Sequence, residues 1–513
     1  FRRLPPHQAS RLLRLYSGEN ATLEVGSHTV KAYDGAVNYD ADKGKITLKG
    51  TGTATTGQKS LLFYLGENGT GKVSIDGKMT ATIEGGTTPS TRGNAFYYVG
   101  TGSDFGKTQI VNWAKNNFGD GKTTTLGHLT LNMNKGSRLF IAQNVGMNLS
   151  DTTGDAVSQA TGAHINGTDY KTFMLYLSKL TINQNVNLDD ANDAYNQLEI
   201  ANSTVENANN IAGTQNRQVG IAQENGNDTN GDGYNANKVT LTNTATGVIN
   251  LTGEETTGIY AKRGRIANAG KISVGKKSTG IYLVEDDRSP ATATLGAKAT
   301  NSSTGVITIG EDSTGMYYKV DPDNADGRGT NTAIGGGIVN DGKIESTANN
   351  VIAMSFDSPY ASKTMENSAT GVIDLQGQNS TGMFATGAGT EISINKIATL
   401  STTASPNINI TGTKLTDPGT DKYVGFGLMA QNGGKIIAQK NYIKVTNGST
   451  AVASVGAGAN VDVSGGTVEY KGNGYALYAA NGGKIDMSGS KLILDGNAVG
   501  YEKVYGTPLP ITT

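Results

Sequence analysis

The chain has no cysteine, one tryptophan, four histidines and ten prolines in 513 residues. The lack of thiols excludes a disulfide framework, a cysteine nucleophile and every Cys-ligated metal site. The histidines, His7, His28, His128 and His164, are scattered. No Gly-Asp-Ser-Gly type segment accompanies them, so a serine-hydrolase triad lacks its parts. An excess of charge of either sign is missing too, with 43 basic residues against 44 acidic ones. That balance offers no electrostatic footprint for nucleic acid or an anionic membrane. No apolar run reaches the roughly 18 residues of a membrane-spanning helix. The first residue is Phe1, with neither an initiator Met nor a signal peptide, so a mature or excised segment is expected.

Glycine is what the chain has in abundance. At 71 of 513 residues, about 14%, it is roughly twice ordinary usage and speaks against long helices. A hydrophobic share of 36% with only 17% charged residues provides a core and excludes a disordered chain.

Length alone would suggest three or four domains, but internal repeats replace that expectation. One unit reads Asn243-Thr-Ala-Thr-Gly-Val-Ile-Asn-Leu and recurs from Asn301 and Asn367. A shorter form, Asn-X-Gly-Lys-Ile, starts at Asn268, Asn340, Asn432 and Asn481, making seven copies of what reads as one element. A second unit follows at ten or eleven residues: Thr257-Gly-Ile-Tyr-Ala, Thr279-Gly-Ile-Tyr-Leu, Thr314-Gly-Met-Tyr-Tyr and Thr381-Gly-Met-Phe-Ala. Near the end, the segment from Gly425 returns from Gly474, 49 residues on, which two turns of about 24 residues explain.

Within the first unit, Ile249 and Leu251, Ile272 and Val274, Ile307 and Ile309, and Ile373 and Leu375 alternate with Asn250, Ser273, Thr308 and Asp374. Period two means strand, with the aliphatics inward. Gly and Asn before each strand suit the positive φ of tight turns. Short strands recurring with identical motifs predict an all-β chain, a parallel right-handed β-helix or β-solenoid rod with loop insertions. A β-sandwich or jelly roll also has many short strands but does not require the same motif at every turn. Tyr260, Tyr282, Tyr317 and Phe384 form a stacked ladder in the β-helix reading; because Ile259 and Tyr260 alternate, either could face the core.

Three regions are expected. Residues 1–20 carry Arg2, Arg3, Arg11 and Arg14 in a Leu-rich segment, either a helical cap on an open end or a foreign stretch. Residues 21–240 form a decorated, less regular solenoid, with strand text at Gly44-Lys-Ile-Thr-Leu, Gly71-Lys-Val-Ser-Ile, His128-Leu-Thr-Leu-Asn-Met and Leu180-Thr-Ile, and a helix predicted over 105–120 around Trp113. Residues 241–513 hold the regular repeats.

Gly66-Glu-Asn-Gly-Thr-Gly-Lys72 matches the first seven places of a phosphate-binding loop. Val73 stands where Ser or Thr should hold magnesium, and strand text follows where a helix N-terminus is needed. Asp228, Asn230 and Asp232 place oxygen ligands at alternate positions before Gly233, as an EF-hand-like loop does, which makes a Ca2+ site there a candidate against a plain polar turn; Val239 replaces the twelfth-position Glu. Asp321, Asp323 and Asp326 form a looser cluster of the same kind. The adjacent carboxylates Asp189-Asp190, Glu254-Glu255 and Asp286-Asp287 would point to opposite faces of a strand and make poor acid–base couples. No enzymatic activity is expected.

Three insertions interrupt the regular text: Val284 to Thr300, Lys319 to Ala333 and Asp357 to Glu366. Each follows the second unit or its replacement, Val351-Ile-Ala-Met-Ser-Phe, so in a solenoid they emerge along one flank. Loops clustered on a rigid scaffold are the usual place for recognition. The candidate contact residues are Asp286, Asp287 and Arg288 in the first, Asp321, Asp323, Asp326 and Arg328 in the second, and Tyr360 in the third. Tolerated, solvated insertions are the plainer alternative.

With its Asn-X-Gly-Lys-Ile and Ser-Thr-Gly-(Ile/Met)-(Tyr/Phe) repeats, the chain resembles the passenger regions of very large bacterial autotransporter adhesins, most of all the fusobacterial ones. The resemblance covers about residues 240 to 500 well and the first half weakly. It implies type V secretion, a β-helix displayed on the bacterial surface and anchored by a C-terminal outer-membrane barrel, and attachment to host-cell receptors, glycans or other bacteria. The barrel has no counterpart here, since Asn460 to Thr513 holds more solenoid text. The function expected is therefore a non-enzymatic surface adhesin; the alternatives are a polysaccharide lyase or hydrolase and a purely structural spacer.

Overall fold

The computed structural model describes residues 15–503 except 42–43, 66–71, 89, 100–109, 112–127, 144–145, 150–163, 168–170, 177–178, 184, 191–197, 202, 226–239, 263, 287–296, 322–335, 358–362, 369, 387–407, 411–424, 447–449, 473 and 496–498. The chain divides into two compact units, Phe1–Ala212 with Ala222–Glu224, and Gly213–Ile221 with Asn225–Thr513. Each is a parallel β-helix. Among the described residues the one helical turn is Leu188–Asp190.

In the second unit a coil consists of three short strands. Arg265–Asn268, Lys271–Val274 and Thr279–Asp286 make one coil, and Lys298–Asn301, Val306–Ile309 and Thr314–Asp321 the next. Each strand pairs in parallel with its successor, Ile266 with Ala299, Ile272 with Ile307 and Tyr282 with Tyr317. The three stacked sets form faces one, two and three. The repeats reveal faces two and three. Face one is hidden because its strands hold one apolar inward residue each, Leu241, Ile266, Ala299, Ile338 or Met365, followed two places later by an asparagine.

The expected alternation holds. Ile249, Leu251, Ile272, Ile307, Ile373 and Leu375 are all fully buried, each worth about 1.5–3 kcal/mol relative to exposure, while Asn250 and Thr308 are exposed on the other side. The open question on face three is answered by burial. Ile259, Ile281, Met316 and Met383 point inward, and Tyr260, Tyr282, Tyr317 and Phe384 lie outward, half-buried.

Two turn readings change. The asparagines of face one do not supply positive φ. Asn243, Asn268, Asn301, Asn340 and Asn367 are fully buried, and each of the first four donates its side-chain N–H to the amide oxygen of the next at 2.7–2.8 Å. This ladder satisfies polar groups that an apolar interior would otherwise penalise. Asn432 and Asn481 carry the same Asn-X-Gly-Lys-Ile text but sit at the corner between faces three and one, exposed, with φ of 49° and 52°. Seven copies of one element are thus five of one corner and two of another. The Thr-Gly glycines also have a different role, since a Cβ on Gly258 or Gly280 would lie 2.5–2.6 Å from the carbonyl oxygen of the next coil. Close coil stacking, not left-handed backbone, requires glycine there.

The first unit repeats the plan with three strands per coil. Thr22–Val25, His28–Ala32 and Val37–Ala41 are followed by Lys45–Leu48, Thr51–Thr56 and Leu61–Leu65. Its interior contains an aromatic stack. Tyr39, Phe63 and Phe96 are fully buried, with ring centroids 5.2 and 5.6 Å apart. Such rings gain more than their area alone. The four strands expected here are strands: Lys45–Leu48, Lys72–Ile75, Leu129–Met133 and Lys179–Ile182. The helix expected over 105–120 is not supported where it can be seen, because Ile110–Val111 form a strand paired with Gly146 and Met147; the rest of that segment lies outside the described residues, as does most of the 1–20 segment.

Candidate functional site

The flank that combines exposed chemistry with chain departures is the edge where face three ends. Its strands pair coil to coil, with Val284 opposite Lys319, Lys319 opposite Asp357, and Asp286 opposite Asp321. From these ends the chain runs to the face-one strands Lys298–Asn301, Gly336–Asn340 and Lys363–Asn367. All three insertions therefore leave the scaffold from consecutive coils at one edge, as the repeat spacing predicts. Two of these strands are eight residues long, against six for Thr257–Lys262, so the scaffold itself extends toward the insertions.

Beside the edge runs the outward aromatic column. Tyr260 meets Tyr282 edge-on at 5.5 Å, and Tyr282 stacks on Tyr317 at 5.0 Å with an interplanar angle of 14°. Burial, then the neighbouring Tyr282, then Asp357 push the Tyr317 phenol up to about 12. Tyr317 therefore stays neutral at physiological pH, and the column presents hydroxyl-bearing rings. Ser355 takes the next place in the column and Phe384 the one after.

At the edge from which the insertions depart lies a polar pair that sequence reasoning missed. Glu285 is 4% exposed and Tyr318 fully buried, and the Tyr318 hydroxyl donates to the Glu285 carboxylate. Tyr318 also stacks on Phe356 at 5.5 Å. The inward period Ile281, Leu283, Glu285 was available in the sequence. Val284-Glu285-Asp286 instead reads as the start of a loop because two of its three residues are acidic.

The predicted site residues fall as follows. Asp286 and Asp321 end paired strands. Asp287, Arg288, Asp323, Asp326, Arg328 and Tyr360 lie outside the described residues, as do the calcium candidates Asp228, Asn230 and Asp232. Of the adjacent carboxylates, Asp189-Asp190 closes the helical turn, and Glu254-Glu255 belongs to a corner where Glu255 pairs with Arg217 at 2.7 Å and Glu254 with Lys277 at 3.9 Å. The hydrogen bond and charge of Arg217 hold the Glu255 carboxyl below its ordinary range. Lys72 of the phosphate-loop match begins a strand. Two histidines bond within the scaffold, His28 to Gly26 O and Tyr39 Oη, both at 2.6 Å, and His128 to Gly77 O at 2.7 Å. No known family, curated protein or solved structure matches the chain.

Proposed function

We propose that this chain is a non-enzymatic adhesin, a surface-displayed passenger of the autotransporter type, which binds host-cell receptors, glycans or other bacteria through insertions on a rigid β-helix. The observation that carries the reading is the register Asp286 to Asp321 and Lys319 to Asp357, by which three successive insertions share one edge. A scaffold stiffened by backbone pairing fixes the points from which the insertions depart relative to one another, which lowers the ordering cost of binding. The tyrosine column beside this edge adds apolar and hydrogen-bonding area of the kind favoured at contact surfaces. On this reading the acidic residues Asp286, Asp287, Asp321, Asp323 and Asp326, with Arg288, Arg328 and Tyr360, contact the ligand, and the loop with Asp228, Asn230 and Asp232 is a Ca2+ candidate.

The test replaces residues 287–296 and 322–335 with short Gly-Ser linkers and measures binding to host cells and to a glycan array. Loss of saturable binding, with an unchanged unfolding temperature, is the expected result. Undiminished binding would overturn the assignment to this edge. Release of sugar from the array would mark a glycan-degrading enzyme, and no saturable binding by the unaltered chain would mark a spacer.

A further inference from the structure

The corner between faces two and three in the second unit carries one residue per coil in the left-handed region: Arg217, Glu255, Lys277, Asp312, Asn350 and Asn379, with φ between 55° and 64°. A left-handed conformation is costly for a non-glycine residue, and Asn and Asp bear it best. Asn350 and Asn379 follow that rule. Arg217, Glu255 and Lys277 do not, so ease of backbone geometry does not account for their residue types.

Their charges do. Along successive coils the corner reads Asn216-Arg217, Glu254-Glu255, Lys276-Lys277, Glu311-Asp312 and Asn349-Asn350, so each charged pair is stacked between pairs of opposite or no charge. Arg217 bonds Glu255 at 2.7 Å, Lys276 bonds Glu311 at 2.7 Å and approaches Asp312 at 3.7 Å, and Lys277 lies 3.9 Å from Glu254. Backbone bonds join the same residues coil to coil: Glu255 N–H to Lys276 O, Lys277 N–H to Glu311 O and Asp312 N–H to Asn349 O. Asn350 then donates its side-chain N–H to Asp312 at 3.0 Å.

We infer that this charge-ordered corner specifies which coil stacks on which. Many of the other contacts repeat from coil to coil: Ile272 on Ile307, Asn268 on Asn301, Tyr282 on Tyr317. A chain built from such repeats has near-degenerate stackings, and those must be separated by something that differs between coils. The corner differs. Skipping the lysine coil would set Glu254 and Glu255 against Glu311 and Asp312, whereas the native order sets opposite charges together. Each exposed ion pair is worth little by itself; the discrimination comes from the summed difference between attraction and repulsion.

Two deletions test this, each removing one coil and restoring the motif at the junction. Deleting 256–277 joins Glu255 to Ser278 and juxtaposes the two acidic pairs. Deleting 278–312 joins Lys277 to Ser313 and places the lysines beside neutral Asn349 and Asn350. At low salt the first is expected to melt several degrees below the second. The gap should close near 1 M NaCl, where the screening length falls to about 3 Å. Equal melting temperatures, or a gap indifferent to salt, would overturn the inference. If either deletion fails to fold, the full-length pair K276E/K277E and K276Q/K277Q decides. The reversal must lose more stability than the neutral change, with the excess removed by salt, and equal losses sink the idea.

Discussion

Asn367 donates its side-chain N–H to the amide oxygen of Asn441 at 3.2 Å, although 74 residues separate them. Both are buried. Among the described residues, the intervening coil has strands only on faces two and three, Ile408–Ile410 and Phe426–Gln431. Face one pairs Glu366 directly with Ile437 across the gap. The asparagine ladder thus continues from Asn367 to Asn441, and its bonds run in one direction from Asn243 to Asn441.

The ladder predicts a large penalty for a short truncation. Asn301→Ala removes the acceptor of Asn268 and the donor to Asn340, and each orphaned buried group costs about 1–3 kcal/mol. Asn250→Ala, on the exposed side of a neighbouring strand, should stay within about 0.5 kcal/mol of the parent. Urea unfolding of the two variants makes the comparison, and similar losses would show that the ladder contributes nothing specific.

Coil stacking predicts an asymmetry between glycine and alanine at one repeat position. Gly280→Ala places a Cβ 2.6 Å from the Gly315 carbonyl oxygen, a backbone atom that cannot swing away, so a loss of about 1–3 kcal/mol is expected. Ala353 holds the corresponding position two coils on, fully buried. Ala353→Gly should cost about 1 kcal/mol or less, chiefly through backbone entropy. Thermal unfolding of both variants reads the difference.

How much of this was legible beforehand follows from where the physics is periodic. Ile249 with Leu251, and Ile272 with Val274, alternate so strictly that strand, face and stacking were readable. The shared edge of the insertions followed from the same spacing. Face one was not readable, because a strand with one aliphatic and one buried asparagine, such as Arg265–Asn268, shows no apolar period. The side of the Tyr260 column could not be chosen either, since Ile259 and Tyr260 are both apolar enough to be inside; only burial separates them. The corner role of Lys277 was invisible for another reason. Charged dipeptides read as solvated turns until the residues stacked above and below them are known.

The tyrosine column predicts alkaline sensitivity with a definite sign. Tyr317 has its phenol raised from 10.0 to about 12 in the fold, so above pH 10 the unfolded chain loses that proton before the folded one. Its contribution is complete below pH 10 and is lost as pH rises toward 12. Tyr317→Phe has no proton to lose and should show a shallower fall in melting temperature between pH 10 and 12. Parallel slopes for parent and variant would contradict the assignment.

The buried pair at the insertion edge predicts coupling more than net stability. Tyr318→Phe removes the hydroxyl that donates to Glu285 and leaves a 4% exposed carboxylate with one donor fewer, a loss of about 1–3 kcal/mol. Glu285→Leu removes the charge and leaves the phenol without that acceptor. With both changes the position is apolar, so neither orphan remains. The double variant should then be more stable than the sum of the two losses by about 0.5–3 kcal/mol, the range seen for residues in contact. A pair retained for stability alone would instead make the double variant the least stable of the three. Urea denaturation of all four chains separates the outcomes. Because Asp286 follows Glu285 at the edge where the first insertion departs, a double variant that keeps its stability but loses cell binding would identify the pair as a device for aiming the insertions.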